Sequence, residues 1–355
     1  MTTSKSLIAG IKPGQKFIKI FNGNAITELQ RSAKRDMEIT TNIDGIKEGR
    51  RVTENGITIT LGSINLVKLN TQCRKLLDFI LAGFTEIAPY GKQATLDTVA
   101  KVSSFKVRLE DFMSVCGLRD KRNARAQFRE AAHTLLNIGM TFDYEIKRVK
   151  GRGKSRKVVE TTEHVGGYMF VCTAGIRTLD EEPLIDSSIE FDMSTRMLLY
   201  LCNRFIMPVD LKMFTINPQK NPHGYNIMRK LTEHYDINAT APNEPVKLSV
   251  LALLEHCPEI PTPKEVRTEK AVQLSKRIRE PFERDINALE ETYGLIKWQY
   301  CKLGGIEFEP EETQPADYPF EDWLDLLIEY YLPDYPVKKK KEVRRSKAEA
   351  SRNES

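Results

Sequence analysis

Lys121, Arg122, Arg125 and Arg129 lie close together in a stretch that reads as a helix. Lys150, Arg152, Lys154, Arg156 and Lys157 follow within thirty residues, spread around Gly151 and Gly153. Arginine forks and lysine points at such spacing suit two kinds of chemistry. They neutralise phosphates, and arginine bonds guanine edges bidentately. From Arg119 to Lys157 there are 12 Lys+Arg and 4 Asp+Glu, a net of +8. From Lys338 to Ser355 there are 8 and 3, a net of +5. The whole chain carries only +5, so the rest of it is acidic, at −8. Basic charge concentrated in two segments of an acidic body favours a localised polyanion site, and nucleic acid is the commonest such partner.

The elements that carry these residues can be read from periodicity. Leu109–Cys116 is a short helix ended by Gly117, and a long helix then runs to Ile138, with Asp120 as N-cap and Gly139 as the stop. In it Ala124, Phe128, Ala131, Leu135 and Ile138 form one apolar stripe at spacings of 4, 3, 4 and 3. Arg122, Arg125 and Arg129 lie roughly 100–160° from the stripe centre, at about 100° per residue. Met140–Arg148 and Lys157–Val165 have strand character, so the glycine-rich basic segment between them is a hairpin tip. Short helix, turn, arginine-bearing helix and basic hairpin is the order of a winged helix, in which the helix enters the major groove and the hairpin lies on the backbone.

Other elements surround this unit. Ile57–Leu61 is a strand, and Leu69–Ile87 is a helix with Cys73, Leu76, Leu77, Ile80 and Phe84 on one face. Further strands are expected at Tyr168–Thr173 and Ser188–Asp192, and Ser194 is placed to cap a helix over Met197–Cys202. A second unit then repeats the order: helices at Asn221–Tyr235, Leu248–Leu254 and Lys270–Tyr293, then a hairpin of Leu295–Cys301 and Ile306–Phe308 around Gly304-Gly305. Pro281 either kinks the third helix or starts a new one. Lys270, Arg277 and Arg284 recur every seven residues, which puts them on one helical face, although Glu280, Glu283, Asp285, Glu290 and Glu291 surround them. Trp298 and Tyr300 read as hairpin packing. Phe320–Leu332 reads as a helix on the spacing of Trp323, Leu324, Leu327, Ile328 and Tyr331.

The expected fold is therefore α+β, with two winged-helix (winged helix-turn-helix) domains in tandem. Residues 1–55 form an N-terminal extension, poorly structured or locally folded. Residues 56–205 and 206–310 hold the two winged-helix units, 311–336 a C-terminal helix and 337–355 a disordered basic tail.

Enzymatic alternatives fare worse. Gly151-Arg-Gly-Lys-Ser155 ends like a phosphate-binding loop, but Arg148 stands where the first glycine is needed, and no strand leads directly into a helix. Tyr330-Tyr331 would suit a strand-nicking nucleophile, but His133, His164, His223, His234 and His256 contain no His-x-His pair to hold its metal. None is followed by the x-x-Arg of a tyrosine recombinase. His223 and His234 read as helix-end hydrogen-bonding groups. A non-enzymatic DNA-binding role, without cofactor or metal, is the expectation. No apolar run reaches 18 residues, so no membrane span is expected, and the first ten residues lack an export pattern. The six cysteines (Cys73, Cys116, Cys172, Cys202, Cys257, Cys301) form no Cys-x-x-Cys and read as buried reduced thiols of a cytoplasmic protein.

Phe214-Thr-Ile-Asn217, followed by His223-Gly-Tyr-Asn-Ile-Met-Arg-Lys-Leu-Thr-Glu-His-Tyr235, resembles the helix that opens the second unit of bacterial plasmid replication initiators of the two-winged-helix type. Arg279-Glu-Pro-Phe-Glu-Arg-Asp-Ile286, Ala288-Leu289, Gly294-Leu-Ile and Trp298 add to the likeness, as does Ile189-Glu-Phe-Asp192. It spans roughly residues 60–310. The resemblance implies a protein that binds repeated origin sites on double-stranded DNA and helps a host replication initiator and replicative helicase open the duplex. It also implies a homodimer at the protein's own promoter and a monomer at the origin. The positions it carries over are Lys121, Arg122, Arg125 and Arg129 in the first unit and Lys270, Arg277 and Arg284 in the second. A winged-helix transcriptional regulator and a metal-dependent origin-nicking enzyme are the alternatives.

Overall fold

A computed structural model of the chain describes residues 14–31, 38–41, 47–53, 56–62, 69–150, 157–174, 188–268, 273–304, 306 and 315–337. The fold is mixed α/β, with four sheets among the described residues. The N-terminal region differs from the sequence expectation. Strand β1 (Phe17–Asn22) is followed by helix α1 (Asn24–Gln30). Ile18, Ile20, Phe21, Ala25, Ile26 and Leu29 are all buried in the main core. β1 pairs antiparallel with β10 (Phe205–Asp210), Ile18 opposite Val209. A six-residue strand has too short a pattern to stand out, and its partner lies far along the chain. Strands β2 (Glu38–Thr41), β3 (Lys47–Val52) and β4 (Thr58–Gly62) also belong to this region.

Helix α2 (Thr71–Ile87) buries the apolar face its periodicity requires, and Asn70 caps it by accepting from the Cys73 amide. After the single-turn α3 (Leu96–Ala100) come β5 (Ser104–Arg108), α4 (Leu109–Cys116) and α5 (Lys121–Leu136). Gly117 ends α4 in the left-handed region at φ 64°, and Asp120 caps α5 through the amides of Arg122 and Asn123. The stop of α5 comes earlier than Gly139. Asn137 closes the helix, its side chain donating to the His133 carbonyl, and Gly139 already lies in a strand opposite Thr60.

That strand is β6 (Ile138–Lys150), and it forms a long hairpin with β7 (Lys157–Tyr168). The hairpin belongs to a five-stranded sheet in the order β2-β3-β4-β6-β7. β5, the strand before α4, sits in a different sheet with β8 (Phe170–Ala174) and β9 (Ser188–Met193), in the order β5-β9-β8. Thus the basic hairpin follows the arginine helix in sequence but does not share a sheet with the strand that leads into the two helices. Helix α6 (Thr195–Cys202) follows; Ser194 is at its N-cap position but makes no side-chain cap bond.

The second unit contains α7 (Gly224–Asn238), β11 (Val246–Ser249), α8 (Val250–Leu254), α9 (Pro263–Arg267), α10 (Glu280–Glu291), β12 (Lys297–Cys301), α11 (Phe320–Leu324) and β13 (Leu327–Tyr331). Leaving aside the single-turn helices α3 and α9, helix, strand, short helix and long helix occur in this order twice. Residues 275–279 form a π turn that runs into α10, with the Glu280 amide donating to the Ser275 carbonyl. Pro281 therefore sits inside one continuous helical run. It has no N–H to give the Arg277 carbonyl, and the wider turn just before it accommodates that loss.

One expectation is corrected here. Phe320–Leu332 is not one helix, because only Phe320–Leu324 is helical and Leu327–Tyr331 is a strand. β12 pairs with β13 in a sheet ordered β11-β13-β12. Lys302 N–H donates to Ile306 O, and residues 307–308, part of the expected second hairpin strand, lie outside the described residues. The physical reason for the strand at Leu327–Tyr331 is its neighbours. Ile328 meets Leu248 on one side and Tyr300 on the other, so β13 satisfies two strand edges that a helix would have left open.

Candidate nucleic-acid interface

Helix α5 is held by its apolar stripe. Ala124, Phe128, Ala131, Leu135 and Ile138 are all buried. Phe128 packs 5.6 Å from Phe112 of α4, which in turn meets Phe79 of α2 edge-on at 5.9 Å. The other side of α5 exposes Arg122, Ala126, Arg129 and His133, spaced 4, 3 and 4 along one line. Arg125 is half-buried beside this line, and its Nε is buried without a hydrogen-bond partner. Lys121 occupies the first turn of the helix. The helix therefore buries one side and turns arginines outward from the other, as its sequence pattern requires.

The hairpin leaves α5 almost at once. β4 pairs with Ile138–Thr141, so from Phe142 to Lys150 the hairpin is a two-stranded ribbon among the described residues. Nine residues at about 3.4 Å each make it roughly 30 Å long. Lys150 and Lys157 face each other in register at its far end. Arg152, Lys154 and Arg156 lie outside the described residues, as does the basic tail from Lys338 onward. At the root of the ribbon Asp143 and His164 form an exposed pair at 2.7 Å.

In the second unit the structure separates residues that the sequence had aligned. Lys270 lies outside the described residues. Arg277 is half-buried whereas Arg284 is exposed. Arg277 lies within the π turn and Arg284 in the α-helix that follows it. The exposed line runs instead through Gln273, Lys276, Glu280, Arg284 and Asn287.

The acids around this helix also divide. Asp285 is fully buried, accepting from the His223 amide at 2.7 Å and from Asn221 Nδ2 at 3.4 Å, and it also bonds Arg284 Nε at 2.7 Å. Glu283 accepts from Arg279 Nε and from Tyr300 Oη, both at 3.0 Å. Glu290 holds Lys297 at 2.9 Å. Glu280 and Glu291 remain exposed. Arg279, to which the sequence pattern gives no functional role, is buried. It lies 5.6 Å over Trp323 and donates to the carbonyls of Tyr318 and Pro315. A signal for Asp285 was present: it falls on the buried stripe of Ile278, Phe282, Ile286 and Leu289, where an acid must have a partner. Trp298 and Tyr300 pack against one another at 4.9 Å, and Tyr300 Oη accepts from Trp323 Nε1.

Between the two units runs a seam of buried polar groups. Asp78 of α2 accepts from Gln30 Nε2, Tyr225 Oη and Arg229 Nε at 3.1, 2.8 and 3.0 Å. Arg229 also donates to Asn22 Oδ1 at 2.9 Å. Lys75 donates to the carbonyls of Phe214 and Ile216 at 2.7 and 2.6 Å, and Arg74 pairs with Glu259. Burial pulls Lys75 down to about 8. This seam fixes how the helix opening the first unit sits against the helix opening the second.

His234 and His256 serve the fold. His234 Nδ1 lies 2.8 Å from Tyr330 Oη, and His256 Nδ1 lies 2.9 Å from the Ala252 carbonyl. Burial lowers the two imidazoles to about 4 and about 3. Cys73, Cys116, Cys202, Cys257 and Cys301 are buried free thiols. Burial raises Cys73 to about 11 and Cys116 to about 12, which keeps both protonated near neutrality. No helix among the described residues is long and apolar enough to cross a membrane.

No protein-family model matches the chain, and no curated protein matches it. The structure is similar to two crystal structures of domains 2 and 3 of RctB. With a selenomethionine derivative the identity is 10% and the TM-score 0.40, covering 86% of this chain and 98% of that one. With RctB residues 155–483 the identity is 9% and the TM-score 0.36, covering 86% and 96%.

Proposed function

We propose that the protein is a sequence-specific double-stranded DNA-binding protein that initiates replication of a plasmid or mobile element. In this reading it binds repeated origin sites through two tandem winged-helix units and brings in a host replication initiator and helicase. It acts in the cytoplasm and catalyses no reaction of its own. The observation that carries the reading is α5. Its apolar stripe is wholly buried while Arg122 and Arg129 face solvent, and a two-stranded ribbon with Lys150 and Lys157 at its far end departs from its C-terminal end. A helix of this kind fits the major groove, and a basic ribbon can reach the adjoining backbone. The repeated order of helix, strand, short helix and long helix supports a second unit of the same kind.

The test is footprinting of the purified chain on DNA around its own gene, at two salt concentrations and with unrelated competitor DNA. Periodic protection over repeated elements supports the initiator. A single protected operator favours a transcriptional regulator, and loss of replicon maintenance on gene deletion, restored in trans, separates the two. Strand cleavage of supercoiled DNA with Mg²⁺ or Mn²⁺ would replace both with a nicking enzyme.

A further inference from the structure

Two helices from distant parts of the chain enclose a cavity beside the polar seam. Gln30 and Arg31 come from the end of α1, and Arg229, Lys230 and Glu233 from one face of α7. His256, two residues beyond α8, adds to the lining. The empty space is about 260 Å³ with its open mouth included. Drug-sized ligands occupy roughly 300–1,000 Å³. This cavity therefore suits a smaller molecule, or one group of a larger one.

Some of the polar groups around it are already engaged. Glu233 accepts from Thr27 Oγ1 at 3.1 Å and pairs with Arg229 at 3.7 Å. Arg229 is otherwise held by Asp78 and Asn22. Three groups are left over. Lys230 is half-buried and makes no hydrogen bond or ion pair among the described residues. Arg31 reaches Glu28 at 3.5 Å, and Glu28 is shared with Arg51. Gln30 is more than nine-tenths buried; its Nε2 donates to Asp78, while its Oε1 is buried without a partner. A buried amide oxygen in this state calls for a donor. His256 supplies a second acceptor. Its Nδ1 faces the Ala252 carbonyl, which only accepts, so in the neutral ring Nδ1 carries the proton and Nε2 keeps its lone pair. Burial, and then the charge of Lys230, keep that ring neutral.

Two cations and two acceptors around one small cavity suit an anion that also carries a hydroxyl hydrogen. An ionised carboxylate only accepts and meets the first need alone. A protonated phosphate, or a phosphomonoester beside a sugar hydroxyl, meets both, and its charged oxygens make strong bonds to lysine and arginine. We propose that the cavity between α1 and α7 binds a phosphate group, free or carried by a small nucleotide. Lys230 and Arg31 hold its charge, and Gln30 Oε1 accepts from its hydroxyl. Gln30 and Arg229 both bond Asp78 of α2, so a group bound here adds a further tie between the N-terminal region and the helix that opens the second unit. The site involves neither α5 nor the ribbon and does not depend on the DNA-binding reading.

The experiment is calorimetric titration of the full chain with inorganic phosphate, with adenosine monophosphate and with chloride, all at matched ionic strength. Thermal unfolding under the same additions gives a second readout, because a ligand of the folded state raises Tm with its concentration. Saturable binding of phosphate or the nucleotide, and none of chloride, is the expected result. Tighter binding of the nucleotide names it as the source of the phosphate group; equal or tighter binding of inorganic phosphate names the free ion. Lys230→Gln should weaken binding by about ten-fold or more, as the loss of a hydrogen bond to a charged group does. Arg31→Gln should weaken it in the same direction. Neither substitution touches the bonds to Asp78, and circular dichroism checks that each variant is folded; should one fail to fold, the other decides. The double variant Arg122→Ala/Arg129→Ala should bind phosphate as the wild type does. No saturable binding, wild-type binding in both cavity variants, or binding lost in the α5 double variant overturns the inference. In that last case the anion sits on the outward face of α5, and the cavity has no ligand role.

Discussion

Asp285 of helix α10 accepts a hydrogen bond from the backbone amide of His223, 2.7 Å away, at the start of helix α7. One long helix of the second unit thus caps the other from across the core. The His223 side chain makes no cap bond of its own, so the acceptor has to come from elsewhere. Asp285→Ala leaves that amide and Asn221 Nδ2 buried without this acceptor. We expect a loss of about 2–4 kcal/mol, the cost of orphaning buried donors. Urea denaturation should show a lower midpoint with an unchanged slope. A shift below about 0.5 kcal/mol would refute the capping role.

Lys75 should make stability rise with pH in an unusual window. Its ammonium is pulled down to about 8 in the folded chain by burial, against 10.5 when exposed. Between these values the unfolded chain holds a proton that the folded chain has released, so stability increases as pH rises. The gain is on the order of 3 kcal/mol by pH 10.5. It should be read as the difference between wild type and Lys75→Met in denaturation at pH 7.5 and pH 10. Parallel pH profiles for the two proteins would sink this account.

Asp78 and Arg229 form a buried ion pair that also engages Tyr225 and Gln30. Removing one partner leaves a buried charge uncompensated, so Asp78→Ala should cost about 3–5 kcal/mol. Replacing both residues together should cost less than the sum of the two single changes. Strict additivity in a double-mutant cycle would show that the pair is not coupled.

In the first unit, Arg125→Ala and Arg129→Ala should each weaken specific DNA binding by about 1–3 kcal/mol where they bond bases. Arg129 is the better exposed of the two, whereas Arg125 is half-buried with its Nε already desolvated. Gel-shift titration at fixed salt measures both. Wild-type affinity for both variants would move the interface away from α5.

Removing residues 338–355, which carry a net +5, should weaken binding to every duplex alike. The slope of log affinity against log salt should fall by about 0.9 for each phosphate that the tail had neutralised. Weakening confined to one sequence would mean that this segment reads bases.

Helix α5 was legible from its residues alone. Asp120, the 4-3-4-3 apolar stripe and Gly117 at the preceding turn act within a few residues of themselves, so local spacing was enough to define what the helix buries and what it exposes. The same holds for the apolar face of α2. Where the outcome depended on distant partners, local spacing misled. Trp323, Leu324, Leu327, Ile328 and Tyr331 have helical spacing, yet β13 forms because Leu248 and Tyr300 offer it two strand edges. β1 has an Ile-Lys-Ile alternation too short to stand out, and its place was decided by pairing with β10, whose Val209 lies opposite Ile18. Heptad spacing aligns Arg277 with Arg284, yet packing leaves the first half-buried and the second exposed. The sequence by itself therefore determined the charge segregation, the amphipathic arginine helix, its Asp120 cap and the Gly117 turn before it, because these are short-range properties of the chain. Only the tertiary structure decided which acids are consumed inside, which strands share a sheet and which side chains of the second helix remain available. Those depend on interactions between residues tens to hundreds of positions apart, where burial and unsatisfied hydrogen bonds outweigh local preference.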